Sequence, residues 1–411
     1  VGDYNYYFDT SARLYSLAIE NEWRVGVLID EAHNLLERAR SMYSAELDQT
    51  RFRFARQAAP KQLKGALDRV NRQWNDLHRD QQTGYQVYHA IAGKFLFALQ
   101  QASTEITDFM AEQPDAMNED LQRFYFDALH FSRLAESFGE HSLFDIEKDV
   151  EQTARPHSVL SLRNVIPAPF LQQRFAAAHS TTLFSATLNP WQFYMDTLGL
   201  PHDTAWIDVE SPFDAQQLSV NIARNISTRY QHRDRSLSAI VDLMAQQYTQ
   251  QPGNYLAFFS SFDYLQKICG LFCARYPDIP MWQQARRMEE TERRQFLDRF
   301  TLGGQGIGFA VLGGAFAEGI DLPGSRLIGA FVATLGLPQV NPVNEQMRQR
   351  METVFGNGYD YTYLYPGLQK VVQAAGRVIR TQQDRGVIHL IDDRFARSEV
   401  LDLLPSWWKI N

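Results

Sequence analysis

The spacing of apolar positions changes twice along the chain. From Leu35 to Arg155 apolar residues recur at helical intervals, as in LQRFYFDALHFSRLAESF, with few breakers beyond Pro60, Gly65 and Pro114, which predicts long amphipathic helices and an all-helical insertion. On either side the pattern shortens to apolar runs that stop at polar residues or glycine. VGVLI precedes the helical stretch, after a lead-in helix predicted for SARLYSLAIENE. SVLSLRN, TTLFSAT, LSVNIARN, NYLAFFSS, GIGFAVLGG, RLIGAFVAT and GVIHLIDD follow it, separated by helical segments. Strands alternating with helices predict an α/β fold with parallel sheets. In such sheets ligands sit beyond the carboxyl ends of the strands, where each of these runs turns polar.

Composition adds bounds. With 411 residues the chain is long enough for two or three domains, and no apolar run reaches the length of a membrane span. The first residue is Val1, and the opening stretch has neither the basic start nor the apolar centre of a signal peptide. The chain is therefore expected to be a piece of a longer protein. Its two cysteines, Cys269 and Cys273, are four apart in a helical pattern, which suits two small apolar residues better than half a metal site. So few cysteines suit a reducing, cytoplasmic setting. The formal charge of −8 argues against a purely electrostatic nucleic-acid binder, but charge is uneven: Arg51 to Trp74 holds seven basic residues and one acid. Arg51, Arg53, Lys61 and Lys64 are the phosphate candidates there, against the plain alternative of a solvated helix face.

Four constellations carry candidate chemistry. In VLIDEAHNLL (Val27–Leu36) an apolar strand predicted to be buried ends at Asp30 and Glu31. Nucleotide hydrolysis needs one carboxylate to hold Mg²⁺ and another to orient or deprotonate water, although the pair also fits a helix N-terminus. In LFSATL (Leu183–Leu188) a second strand stops at Ser185 and Thr187, which could link to those carboxylates or merely cap a helix. VLGGAFAEGIDLPG (Val311–Gly324) combines glycines, which permit close backbone approach, with Glu318 and Asp321. In QKVVQAAGRVIR (Gln369–Arg380), helical spacing would set Gln373, Arg377 and Arg380 on one side, with AAG leaving that face bare for a partner surface. Two guanidiniums so placed suit the charge of a transferring phosphate.

Taken in order, DEAH, SAT, GGAFAEGID and QAAGRVIR resemble motifs II, III, V and VI of superfamily-two helicases, and more narrowly the XPD/DinG family of DNA helicases. GDYNYYFD before the DEAH strand, ESPFDAQQ, NYLAFFSSFDYLQKI and RRQFLDRF strengthen the resemblance, which spans most of the chain and is weakest across the helical insertion. The resemblance implies RecA-like motor domains: residues 1–34 and 157–207 as the remainder of the first, 35–156 as an arch insertion, and 208–411 as the second. It implies that Asp30 binds Mg²⁺ and Glu31 activates water. His33, Ser185 and Thr187 would relay the nucleotide state, Glu318, Gly319 and Asp321 would face an interdomain cleft, and Gln373, Arg377 and Arg380 would contact the γ-phosphate of ATP.

The chain lacks two of the family's parts. No Gly-x-x-x-x-Gly-Lys-Ser/Thr loop occurs, nor the four cysteines of the family's iron–sulfur cluster. Both belong upstream of GDYNY in the family, so the chain is expected to hold one half of an ATP site. The implied activity is 5′→3′ translocation on single-stranded or forked DNA with duplex unwinding, in DNA repair or replication. A non-catalytic nucleic-acid-binding or scaffolding module is the alternative from another class. A metal-dependent hydrolase is disfavoured, because one histidine and two adjacent acids make poor coordination geometry.

Overall fold

The computed structural model describes residues 1–113, 116–148, 157–314, 316 and 320–411, and the chain divides into two compact units, Val1–Thr204 and Ala205–Asn411. The division lies close to the expected break at 207.

The first unit contains two sheets. β1 (Gly26–Ile29) pairs in parallel with β6 (Ser180–Leu183) as a two-stranded sheet, with Gly26 beside Ser180 and Ile29 beside Leu183. β1 is less buried than its sequence predicts: Ile29 is buried, yet Leu28 is 76% exposed. The second sheet is antiparallel, in the order β2-β5-β4-β3, formed by β2 (Ala45–Asp48), β3 (Tyr85–Tyr88), β4 (Ser142–Lys148) and β5 (Ser158–Asn164). Helices Gln49–Ala58, Lys61–Asp80, Gly93–Glu112 and Glu119–Glu136 account for the helical periodicity.

The insertion is thus helical as predicted, but not wholly so. SVLSLRN, expected in a parallel sheet, is β5, which pairs antiparallel with β4 from Ser158 to Asn164. An insertion closed at residue 156 would separate these two strands. Short strands flanked by long helices leave little alternation to read, which is why β2, β3 and β4 escaped the pattern. The helices bury their apolar stripes together. Trp74 is fully buried, stacks on Phe52, meets Phe95 edge-on and donates from Nε1 to Ser158 Oγ at 3.0 Å.

The second unit is a seven-stranded parallel sheet in the order β13-β7-β12-β11-β8-β10-β9. Its strands are β7 (Leu218–Ile222), β8 (Asn254–Phe259), β9 (Met281–Gln283), β10 (Gly306–Val311), β11 (Gly329–Ala333), β12 (Gly386–Leu390) and β13 (Lys409–Ile410). Alternate residues feed opposite cores: Leu256 and Phe258 pack on one side with Val332 and Leu390, whereas Tyr255, Ala257 and Phe259 pack on the other with Phe309 and Phe331. Both faces are covered, so NYLAFF reads as one unbroken apolar run. Helices Arg233–Gln250 and Phe262–Arg275 cover one face, and Tyr365–Ala375 the other. Among the described residues no helix is long and apolar enough to cross a membrane.

Candidate active-site residues

In the first unit the pairing of β1 with β6 brings DEAH and SAT together. The strands continue their exchange past the sheet, with Phe184 N–H donating to Ile29 O at 3.0 Å and Ala32 N–H to Phe184 O at 3.1 Å. This sets the buried ring of His33 against the SAT loop: His33 Nδ1 lies 2.6 Å from Ser185 Oγ and 3.3 Å from Glu31 Oε2. Ser185 Oγ in turn accepts from Thr187 N–H at 3.1 Å, and Tyr194 holds Thr187 O through its hydroxyl. His33, Ser185 and Thr187 are therefore linked by hydrogen bonds, and the Glu31 carboxylate approaches the same His33 nitrogen at 3.3 Å.

Asp30 and Glu31 are both exposed. Glu31 adopts φ 46°, ψ 44°, a left-handed conformation that costs a non-glycine residue roughly 1–3 kcal/mol. Two contacts hold the strained turn. Asp30 Oδ1 accepts from Glu31 N–H at 2.8 Å, and the Tyr4 hydroxyl donates to the carbonyls of Asp30 and Glu31. Burial, followed by the Asp30 and Glu31 charges, raises the Tyr4 pKa and keeps it a donor. Glu31 stands at the N-cap position of the short 3₁₀ turn Ala32–Asn34, but its side chain makes no cap bond there. No group of three or more His, Cys, Asp or Glu side chains could hold a metal ion among the described residues. Asp30 is suited instead to an ion that arrives with phosphate oxygens and water, as Mg²⁺ does in nucleotide sites.

In the second unit the two arginines meet on one carbonyl. Arg377 Nη1 and Arg380 Nη2 donate to Ile320 O at 3.0 and 3.1 Å, and Arg380 Nε lies 3.6 Å from the exposed carboxylate of Asp321. The QAAGRVIR and GID segments are thereby joined, but not by the helical face expected for Gln373, Arg377 and Arg380. The helix ends at Ala375 with Gly376 as its cap, so Arg377 and Arg380 lie beyond it and share no helical face with Gln373. Nor are Ala374 and Ala375 a bare contact face, for both are buried in the core beneath the sheet. Small residues here let the helix approach its own sheet. Glu318 and Gly319 lie outside the described residues.

A loop lock sits behind Arg380. Its backbone N–H and that of Thr381 donate to Asp384 Oδ2, each at 2.7 Å. Burial would raise the Asp384 pKa, but these bonds outweigh it and lower it. Gln217 Nε2 then donates to the carbonyls of Thr381, Gln382 and Asp384.

The four basic candidates of the insertion are used unequally. Lys64 Nζ donates to the carbonyls of Arg56 and Gln57 at 2.6 and 2.9 Å, which makes it a C-terminal cap of helix Gln49–Ala58. Arg51 lines a pocket of about 140 Å³ with Arg123, Phe54 and Asp127. Arg53 is half-buried beside His78, whereas Lys61 is exposed. Of the interleaved aromatics, Phe52 and Trp74 are core residues, and Phe54 is 54% exposed. The cysteines also differ: burial pushes the Cys269 thiol up to about 12, but Cys273 is exposed, with Sγ 3.2 Å from Met281 Sδ.

Comparison with known proteins matches residues 244–411 to the model of the helicase C-terminal domain. The ATP-dependent DNA helicase chl-1 of Caenorhabditis elegans is 26% identical over 59% of this chain and 31% of its own length. DinG of Photobacterium profundum, also an ATP-dependent DNA helicase, is 25% identical over 58% of this chain and 36% of its own length. The solved structure of S. tokodaii Xpd4 superposes with a TM-score of 0.62, covering 99% of this chain and 81% of that one at 15% identity, a likeness of fold. The chain is similar to helicases of the XPD/DinG type, and its residues 244–411 match the helicase C-terminal domain. The match covers about a third of the length of these curated relatives.

Two residues were missed as site residues from sequence. Tyr4 and Gln217 lie in GDYNYYFD and ESPFDAQQ, which had been noticed only as flanking likenesses. A tyrosine 26 positions ahead of DEAH carries no signal of its partner, because the contact exists only once the chain has folded back.

Proposed function

We propose that this chain supplies the catalytic acids and the arginine fingers of an ATP-dependent DNA helicase that translocates 5′→3′ on single-stranded DNA. Asp30 holds Mg²⁺ arriving with the nucleotide and Glu31 orients the attacking water. Arg377 and Arg380, with Gln373, stabilise the charge on the γ-phosphoryl group. Residues 1–34 and the strand and loop around LFSATL serve motor domain one, the insertion serves as an arch, and the second unit is motor domain two. Glu318, Gly319 and Asp321 belong to the nucleotide-responsive loop. The relatives' names support ATP and DNA as ligands.

The observation that carries this reading is the cluster in which His33 Nδ1 meets both the Glu31 carboxylate and Ser185 Oγ, which in turn accepts from Thr187 N–H. A buried histidine fixed between a strained, exposed carboxylate and a hydroxyl loop gives the acid a route by which its state is felt one strand away. The test is DNA-stimulated ATP hydrolysis. This chain has no phosphate-binding loop, so by itself it is expected to hydrolyse no appreciable ATP. A form of the protein that hydrolyses ATP is expected to lose turnover with Glu31→Gln. Rapid DNA-stimulated hydrolysis by the isolated chain, abolished by the same substitution, would refute the half-site reading.

Arg51, Arg53, Lys61 and Lys64 are proposed as a secondary DNA-contacting group, with Lys64 the weakest member because its ammonium is engaged as a cap. Substituting Gln at all four is expected to flatten the salt dependence of single-strand binding, and an unchanged slope removes the group.

A further inference from the structure

Ligands of parallel α/β sheets gather where strands end at their carboxyl edge. In the second unit that edge is rich in cations: Arg224 and Arg287 are exposed and without an ion pair among the described residues, and several others are neutralised. Arg229, which follows β7, meets Asp393 at 2.7 Å; Arg286, which follows β9, meets Asp263; and Arg394, which follows β12, meets Asp392 at 2.6 Å. Lys370 differs. It is half-buried on helix Tyr365–Ala375, and among the described residues its ammonium has neither a carboxylate nor a hydrogen-bond acceptor.

What lies beneath Lys370 is bare backbone. A Cβ built on Gly313 would meet Lys370 Cδ at 3.6 Å and Nζ at 3.8 Å, so the lysine stem lies across the turn that follows β10. Gly313 has φ +79°, a conformation that favours glycine, and the turn is fixed on both sides. Leu312 N–H donates to Phe259 O at 2.9 Å, Gly314 N–H to Val311 O at 3.2 Å, and Val311 N–H to Gln284 Oε1 at 2.9 Å. β10 pairs with β8 through Val311 and Phe259, which places Ser260 next to Leu312 one residue further on. Ser260 Oγ is a buried atom without a hydrogen-bond partner. An ammonium with no partner among the described residues, a rigid glycine turn and an unsatisfied hydroxyl thus lie at one edge. An oxyanion is the ligand that suits the ammonium.

We propose that Lys370, over the Gly313–Gly314 turn, grips a backbone phosphate of single-stranded DNA. The inference rests on the helicase reading and deepens it. Lys370 precedes the helix end at Ala375 by five residues, roughly 7.5 Å at helical rise, and Arg377 follows the Gly376 cap. One rigid helix and its cap then carry a DNA grip at one end and the nucleotide-facing guanidiniums at the other. A shift of the helix on hydrolysis moves the grip directly. The phosphate is assigned to DNA rather than to the nucleotide because Arg377 and Arg380 are already gathered at Ile320, on the loop beyond the glycine turn.

The test uses equilibrium binding of this chain to fluorescein-labelled oligo-dT of 20 nucleotides, by anisotropy, from low to moderate salt, with Lys370→Gln and Lys370→Arg. Loss of one phosphate contact is expected to lower the slope of log K against log salt by about 0.7 and to weaken binding several-fold at low salt, with the arginine variant restoring both. An unchanged slope in Lys370→Gln, with the parent binding normally, overturns this proposal and leaves the helicase reading standing. Failure of the parent to bind DNA at all overturns both. In a form of the protein that hydrolyses ATP, a raised KM for ATP at saturating DNA with an unchanged salt slope would reassign the lysine to the nucleotide and overturn the DNA grip.

Discussion

The DEAH–SAT loops and the arginine loops both hang polar residues just past the ends of parallel strands, but they are supported very differently. The arginines stand on a seven-stranded sheet packed on both faces, and the loop behind them is locked by Gln217 and Asp384. The acids stand on a two-stranded sheet whose Leu28 is largely exposed, and their geometry is kept by local bonds from Tyr4 and within the DEAH turn. A strand end can therefore present chemistry either because its sheet is rigid or because its loop is tied to a neighbouring loop. The first way tolerates the loss of a single loop bond better than the second.

The largest effect expected from this contrast is on turnover. On the proposed function, in a form of the protein that hydrolyses ATP, Arg377→Ala and Arg380→Ala should each lower kcat by ~10³, with smaller changes in the KM for ATP and in DNA affinity. The pair should be strongly non-additive, since both arginines are gathered on Ile320 O. Parental turnover with lost DNA binding in either variant would make the arginines DNA grips and break the comparison.

Next is stability. Phe258→Ala, in the packed second-unit sheet, should cost ~3–5 kcal/mol, whereas Leu28→Ala on β1 should cost under about 0.5 kcal/mol. Peptide-resolved native-state hydrogen exchange reports each unit separately. Equal losses in the two sheets would show that β1 is as deeply supported as β8.

Acid should act on the second unit through His389. Burial lowers its pKa from 6.5 to about 4, and Nε2 lies 2.9 Å from Gln247 Oε1. The unfolded chain therefore takes up the proton first. The contribution is fully present above pH 6.5 and is lost as pH falls towards 4, amounting to roughly 3 kcal/mol. Below that window Asp392 takes over. Burial opposes its ionisation, but its bonds to Arg394 and Thr228 bring its pKa to about 2, so its contribution is present above 3.8 and lost towards 2. Exchange of β12 peptides at pH 7 and pH 4.5 measures the first step, and His389→Gln should flatten it.

The smallest effect sharpens the acid side. Ser185→Ala removes the partner of His33 and should destabilise the DEAH turn by about 1 kcal/mol. If Ser185 acts through His33 and not merely in packing, kcat falls while the KM for ATP holds, and Ser185→Thr recovers part of the loss.

By itself the sequence determined the parallel α/β character, the strands that carry each motif and the residue types at their ends. Apolar runs that stop at carboxylates, hydroxyls or glycine are local signals, written within about ten residues. The order of its motifs also carried the resemblance to XPD/DinG helicases. Only tertiary structure decided which of those residues meet. Ser185 lies 152 positions from His33, and Arg380 lies 60 from Ile320. Each pair is joined by strand pairing or helix packing, which no local pattern encodes. Tertiary structure also ended the helix before Arg377, turned Ala374 and Ala375 into the core, gave the insertion its antiparallel sheet and engaged Lys64 as a cap. Periodicity reports which face of an element is apolar, but not what that face packs against or where a polar tip finds its partner.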